Sequence, residues 1–475
     1  MRARPAPSRP GLTGLARLTG RGGLLPALVV LCLLAAPVLA QDSPRRLTPP
    51  EARSFALSLL HQGEPRAARA LALGLLQKDS RDYTALMVLA EAESRLGRPA
   101  AAKFAARRAW RSTTVEQERF AAAFVMSSIL KSEQKFGQAQ LWLRRASAAT
   151  DAPHYEAAAR TAYRRVQAEN PWSLSFNLSL APSSNVNGGP KDNSYTIGGL
   201  LVDPTAVPLS GFEIGTMLSL TRRFKPGEVG RLSFGLRHDA RRYLLSSAAR
   251  RAVPTARGSD YAFSALDAHL RLDFASAQER ARTSAEIGLN QVWHAGSSLA
   301  TSQRLRLSRG FSRGRHAFAS YGLTLQNQTR HDSALRSNTS YTLDGFALIQ
   351  RPDTSLWRYG ASLSKVQSAA AVIAHTAAQL SLSYHPATPL LKAKASFAAD
   401  LQLRAYDRAI YYRLFNDTRK RRDHRLSLSA NFVFEDIDYM GFSPSVTLNA
   451  TRNISNITFF DSQEFGLSLG IKSTF

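Results

Sequence analysis

The pattern of apolar and polar residues changes period once, near residue 170. Before it, residues 47–169 repeat at helical spacing. After it, Trp172, Leu174, Phe176, Leu178 and Leu180 alternate with Ser173, Ser175, Asn177 and Ser179. A period near 3.6 puts apolar residues on one stripe of a helix, and a period of two puts them on one face of a strand. The strand alternation recurs in Leu232, Phe234 and Leu236 against Arg231, Ser233 and Arg237. It recurs again in Leu391, Ala393, Ala395, Phe397, Ala399 and Leu401, and in Leu426, Leu428, Ala430, Phe432 and Phe434. About fourteen such strands can be counted, an even number, as bacterial transmembrane barrels require. The last strand carries Phe465, Leu467, Leu469, Ile471 and Phe475 on one face and ends on an aromatic. A strand of this kind is an aggregation hazard unless it closes a sheet. It predicts a barrel with one face toward lipid, with Phe475 as the terminus presented during barrel assembly.

The helical half breaks into paired amphipathic segments. Pro50–Leu60 pairs with Glu64–Gln77, Tyr83–Leu96 with Pro99–Arg111, and Glu116–Ser132 with Phe136–Ala148. Each pair is expected to turn at a glycine: Gly63, Gly97 and Gly137. The first spacing is 34 residues, the tetratricopeptide period, and the second is 40. In the middle pair Leu86, Leu89 and Ala90 take the packing positions of the first helix. Ala102, Ala106 and Ala109 let the second helix approach closely. Such stacks present concave surfaces that hold peptides. A further helix, Pro153–Ala168, leads to the boundary at Asn170-Pro171-Trp172.

Connection lengths in the strand half alternate. Lys225–Gly230, Ala275–Arg280, Arg313–Arg315, Arg351–Thr354, His385–Pro389 and Glu435–Tyr439 are short. Pro182–Gly211, Leu244–Ser259, Thr329–Ser337, Ala405–Arg421 and Asn453–Gln463 are longer. Short turns belong in the periplasm and long loops outside. The first connection is long, so the first strand runs outward and residues 41–169 are expected in the periplasm. The expected organisation is a leader over residues 1–40, a helical domain over 41–169 and a barrel over 170–475.

The front of the chain supports an exported protein. Arg2, Arg4, Arg9, Arg17 and Arg21 precede the apolar run Leu24–Ala36, and Val38-Leu39-Ala40 offers a cleavage site before Gln41. The sole cysteine, Cys32, lies in the apolar run, so the mature chain would hold no disulfide or thiolate metal site. Formal charge is +27, or +22 without the five leader arginines. Charge of this sign raises nucleic acid as a partner. The leader argues instead for arginines that line a lumen, meet lipopolysaccharide phosphates or attract an acidic passenger.

Catalytic chemistry is not legible. His238-Asp239 and Asp423-His424 place acid and imidazole on opposite faces of a strand. Ser427, Ser429 and His424 form no defined triad. No Gly-x-Ser-x-Gly, His-Glu-x-x-His or phosphate-binding glycine loop is present, and the histidines lack metal spacing. No enzyme activity, cofactor or metal is expected.

Asn170-Pro171-Trp172 followed by Ser184-Asn185-Val186-Asn187, and Gly441-Phe442-Ser443-Pro444 followed by Arg452-Asn453-Ile454-Ser455-Asn456-Ile457 and Phe475, resemble the surface lipoprotein assembly modulators (Slam). The resemblance singles out Pro171, Trp172, Asn185, Asn187, Pro444, Asn453, Ser455 and Asn456 as signature positions. It implies a periplasmic tetratricopeptide domain and a fourteen-stranded outer-membrane barrel. It also implies translocation of a surface lipoprotein or release of a secreted haem- or metal-scavenging protein. The implied partners are outer-membrane lipid and lipopolysaccharide, the passenger, periplasmic chaperones and the barrel-assembly machinery, with no nucleic acid. The rival expectations are an exopolysaccharide export porin and a passive solute porin with a helical scaffold.

Overall fold

The computed structural model describes residues 47–187, 195–197, 200–202, 207–224, 227, 230–276, 281–411, 418–437 and 442–473. The expected leader, residues 1–40, and Phe475 lie outside the described residues.

Seven helices come first: α1 (Pro49–His61), α2 (Pro65–Lys78), α3 (Tyr83–Arg95), α4 (Pro99–Ser112), α5 (Glu116–Ser132), α6 (Phe136–Ser147) and α7 (Pro153–Glu169). Proline opens α2, α4 and α7, where its missing N–H has no helical partner to lose. Asp82 caps α3, its carboxylate accepting from the Ala85 N–H at 3.0 Å and pairing with Arg53 at 2.8 Å. From α2 to α7 each helix packs on the next, and small residues set the spacing: Ala68, Ala72, Ala90, Ala102, Ala106 and Ala109 are fully buried. Leu86 and Leu143 are 1 % exposed between them. The half-buried Tyr83 hydroxyl donates to the Glu118 carbonyl at 2.8 Å, and desolvation pushes its phenol well above the usual range. Lys103 bonds Glu133 at 2.6 Å and is the first cause holding that half-buried carboxyl below its usual range. Glu133 therefore favours the folded state above its ordinary titration range, and the contribution is lost as pH falls through its depressed value.

Gly63 and Gly97 end α1 and α3 in the left-handed region, at φ +81° and +72°. At Gly97 the next residue, Arg98, donates its N–H back to the Glu93 carbonyl at 2.8 Å. The expected third glycine turn is corrected. Gly137 lies inside α6, and the left-handed residue after α5 is Gln134, at φ 59°, with the Lys135 N–H donating to the Leu130 carbonyl at 2.9 Å. The same hydrogen-bonded ending is thus built on a non-glycine. A Cβ at Gly97 would meet nothing within 4 Å, so Gly97→Ala tests backbone conformation alone. It should lower the stability of the helical domain by about 1 kcal/mol, and Gln134→Gly should raise it by about 0.5 kcal/mol. Thermal melts of the full chain, followed by proteolysis within the helices, measure both.

Sixteen strands follow among the described residues: β1 (Trp172–Ser183), β2 (Tyr195–Ile197), β3 (Leu200–Val202), β4 (Gly211–Arg223), β5 (Arg231–Leu245), β6 (Phe263–Ser276), β7 (Ala281–His294), β8 (Ser297–Arg313), β9 (Ala317–Arg330), β10 (Asn338–Gln350), β11 (Leu356–Ser368), β12 (His375–His385), β13 (Lys394–Ala409), β14 (Lys420–Val433), β15 (Phe442–Ser455) and β16 (Ser462–Ser473). β2 and β3 form a separate hairpin within the first long loop. The other fourteen close an antiparallel barrel in sequence order, with β16 returning to β1. Alternation puts one series of side chains outside, where Leu307, Leu323, Leu343 and Leu363 form a row across β8 to β11. Those leucines are 51–56 % exposed, so no described residue covers them.

The rim beside α7, here the proximal rim, carries mostly short turns. The distal rim carries the β1–β4 loop, a short helix α8 (Ser247–Ala252) and 3₁₀ turns at Gly258–Tyr261, Ala334–Arg336 and Thr458–Phe460. An exception is the distal two-residue turn Ala295-Gly296, whose positive φ values of 51° and 82° suit the twist of the tight hairpin it closes. A second correction concerns Leu391, expected on a strand face. It sits with Lys392 in a turn closed by the Leu390–Ala393 bridge, both at positive φ, and β13 begins only at Lys394.

Candidate functional site: the lumen wall and its two rims

The inner face of the barrel divides into two walls. On one, long charged side chains pair across strands. Arg304 of β8 reaches Asp267 of β6 at 3.1 Å and Glu286 of β7 at 3.1 Å. Arg306 of β8 reaches Asp344 of β10 through two bonds of 2.6 and 2.8 Å. Both arginines pass over an intervening strand, and a glycine leaves the space. A Cβ at Gly322 of β9 would stand 2.7 Å from the Arg306 guanidinium, and one at Gly288 of β7 would stand 3.0 Å from that of Arg304. Arg271, Arg282 and Ser284 converge on Asp273, and Arg237 forks onto Asp239 at 2.6 and 2.9 Å. Two-point guanidinium–carboxylate pairs fix geometry as well as charge, so this wall is stiff.

The other wall runs through β14, β15, β16, β1 and β4. Its inward positions are mostly small and neutral: Ser427 and Ser429, Thr447 and Asn449, Ser468 and Gly470, Ser175 and Ser179, Gly215 and Ser219. Glu213, Met217, Glu464 and Lys472 are exceptions, as are Arg421, Asp423 and Arg425 of β14. This wall also holds the weakest ladder. β1 pairs with β4 over all twelve of its residues, and β16 pairs with β15 over all twelve of its own. Across the β1–β16 seam there are three pairs among the described residues: Leu178↔Ile471, Ser179↔Gly470 and Leu180↔Leu469.

The signature positions gather at the two ends of this wall. At the proximal rim, the Pro171 carbonyl accepts from the Arg223 N–H at 2.7 Å, and Arg222 lies over the Trp172 ring at 5.0 Å. The Arg223 guanidinium donates to the Asn170 and Gln167 carbonyls at 2.7 and 3.1 Å, tying β4 to the end of α7. Arg144 of α6 stacks on Phe442 of β15 at 4.5 Å. The helices are thus fastened to the strands on both flanks of the β1–β16 pair.

At the distal rim, Asn187 latches the first loop. Its side chain donates to the Val207 carbonyl at 2.7 Å and accepts from the Leu209 N–H at 2.9 Å. Asn185 donates its backbone N–H to the Ser183 hydroxyl at 3.3 Å. Asn453 donates to the Phe460 carbonyl at 2.8 Å, and the Ser455 N–H donates to Asp461 at 2.6 Å. Asn456 accepts from the Arg422 N–H at 2.7 Å and donates to the Lys420 carbonyl at 2.9 Å, holding β14 to the last loop. The β2–β3 hairpin rests against the Thr458–Phe460 turn, so the two latched loops meet beside the seam. The Pro444 carbonyl continues the ladder by accepting from the Phe434 N–H at 3.0 Å. The asparagines act as backbone staples, the turn chemistry their side chains suit.

Nearby, Asp423 is 1 % exposed; it accepts a hydrogen bond from Arg421 at 2.9 Å, and its other oxygen lies 2.6 Å from the same guanidinium as an ion pair. Arg421 lies between the Tyr406 and Phe460 rings, at 4.6 and 3.5 Å. Asp332, in another distal loop, is held well below the usual carboxylate range, first by its hydrogen bond from Arg330 and then by Arg336. Neither sequence-flagged acid–histidine pair forms a dyad: Asp239 takes Arg237 and Asp423 takes Arg421. Among the described residues no cluster of three or more His, Cys, Asp or Glu could hold a metal ion.

The charged wall was not visible in the sequence. The partners of Arg304 and Arg306 lie 18 to 38 residues away, and their only local sign is a glycine at an inward strand position.

No family model matches the chain, and no curated protein matches it. Among solved structures, the Acinetobacter baumannii outer-membrane channel DcaP is similar over 64 % of this chain and 97 % of its own, at 10 % identity and a TM-score of 0.38. A bacterial polysaccharide outer-membrane secretin is similar over 63 % and 98 %, at 8 % identity and a TM-score of 0.31. The Yersinia enterocolitica type III secretion chaperone SycD, solved with a peptide of the translocator YopD, is similar over 25 % and 92 %, at 13 % identity and a TM-score of 0.23. At these scores the functional reading rests on the chain's own geometry.

Proposed function

We propose that this protein is an outer-membrane translocator that delivers a polypeptide passenger, a surface lipoprotein or a secreted haem- or metal-scavenging protein, to the cell exterior. The observation that carries the reading is a stack of helix hairpins fastened to one rim of a closed fourteen-stranded barrel. The exposed apolar belt suits lipid, and closure leaves no free sheet edge except where the seam is thin. Barrels of about eight strands are filled by side chains and those of sixteen or more hold a channel. Fourteen strands suit an extended segment better than a folded domain. In this reading the helices are tetratricopeptide-like and periplasmic, and they receive the passenger or its chaperone. Lipopolysaccharide meets the basic distal loops, and the barrel-assembly machinery inserts the chain.

Orientation is tested by single cysteines in a Cys32→Ser background. Cysteines at Ser247 and Thr418, on the distal rim, should react with a membrane-impermeant maleimide on whole cells. Cysteines at Gly227 and Thr388, on the proximal rim, should react only after the outer membrane is opened; labelling in the reverse order would overturn the topology. The function is tested by deleting the gene. Protease accessibility of the product of the adjacent candidate passenger gene should fall on intact cells, with small-solute uptake unchanged. Loss of solute or glycan flux with unchanged passenger exposure would favour a porin or an exopolysaccharide exporter.

A further inference from the structure

The two edges of the β1–β16 seam are unequal to their other sides. Each strand is fully paired away from the seam and paired at three positions across it. Among the described residues, Ala181–Ser183 of β1 and Ser462–Ser468 of β16 have no strand partner on the seam side. A main-chain edge of that length selects an extended polypeptide, because only a strand offers donors and acceptors in the same register. A sugar or small solute cannot. In a bilayer the selection is strong, since unpaired backbone groups cost several kcal/mol each.

The surroundings favour the same occupant. Inward side chains next to the seam are small, Ser179, Ser468 and Gly470 among them, and leave room for incoming residues. The outward neighbours Leu178, Leu180, Leu469 and Ile471 are apolar. An added strand would therefore alternate apolar residues toward lipid with small or polar residues toward the lumen. The helices are fastened to β4 and β15, the strands that flank the seam, and the two latched loops meet beside its distal end. The stiff, ion-paired wall lies elsewhere, so strain at the seam need not break it.

We propose that the β1–β16 seam is a docking site for an extended polypeptide segment, which adds to the free edge of β1 or β16 as a strand during passage. This deepens the translocator reading and rests on it for the identity of the segment, but the docking itself is testable alone. The probe is a synthetic peptide with the sequence of Ser462–Ser473, carrying a benzophenone side chain in place of Phe465. Its control is a scrambled peptide without alternation. Both are added to full-length protein (Cys32→Ser) in lipid bilayers. Photocrosslinks should map to β1 and β16 and exceed those of the scrambled peptide by at least fivefold. In the variant Leu180→Cys/Leu469→Cys, oxidation should close the seam and abolish crosslinking, and reduction should restore it. The variant Leu363→Cys/Ala378→Cys, which locks the fully paired β11–β12 ladder, should leave crosslinking unchanged. Absent crosslinks, crosslinks spread over all strands, or crosslinks indifferent to the seam disulfide would overturn the proposal. Crosslinked pairs of whole chains in place of peptide adducts would assign the edges to self-association and overturn it as well. Passenger exposure in cells that does not depend on the gene would refute translocation while leaving the docking result intact.

Discussion

Replacing Arg421 by alanine should destabilise the barrel by about 3–5 kcal/mol, the cost of leaving a buried charge without its partner. Asp423 is 1 % exposed, and Arg421 supplies a hydrogen bond and an ion contact to it while filling the gap between Tyr406 and Phe460. Alanine removes the counter-charge and the packing together. Lysine keeps the charge but loses the planar fork and the stacking, so Arg421→Lys should recover only part of the loss. The double variant Arg421→Met/Asp423→Leu removes both charges and should be more stable than Arg421→Ala. Urea unfolding of the barrel in detergent, read by heat-modifiable mobility, measures all three. A double variant no better than Arg421→Ala would show that packing, not the buried carboxylate, dominates.

Leu343→Arg should cost about 2–4 kcal/mol of barrel stability in a bilayer, the range for a cation at the midplane of a lipid-facing strand. Leu343 lies between Leu323 and Leu363 on the outer face, and its side is 56 % exposed because lipid is its expected partner. The adjacent Thr342→Arg places the same charge in the lumen, near Asp344, and should cost less than about 1 kcal/mol. Folded barrel recovered in the outer membrane should fall sharply for the first variant and little for the second. Equal losses would mean that the exposed leucines do not face lipid.

Local patterns made much of this architecture readable, and non-local pairing accounts for what they missed. All seven helices begin and end within a residue of the positions their apolar stripes, prolines and turns predict. The alternation at Trp172–Leu180 and Phe465–Ile471 also marked true strands. Turn chemistry failed twice, at Gln134 and Leu391, where a non-glycine takes the left-handed conformation because the hydrogen bonds around it demand one. Register was beyond reach, since a period of two fixes faces but not partners. The short seam, the Arg304 and Arg306 bridges and the loop staples of Asn187 and Asn456 all depend on which strand lies beside which. Asn187 and Asn456 were flagged by resemblance, but their latching role needed the fold.

In the proposed reading the helical stack and the barrel together move a polypeptide. Removing residues 47–169 while keeping the leader and the barrel separates the two parts. The barrel's closure lies wholly within β1 and β4–β16, so it should still insert and show heat-modifiable mobility. Protease accessibility of the adjacent gene's product on intact cells, and its level in the medium, should drop to those of a strain lacking the whole gene. The passenger should be retained in the periplasm, with small-solute uptake near that of the intact strain. If passenger exposure is the same in the intact, truncated and deleted strains while solute flux follows the barrel, the protein is a porin and the account is wrong.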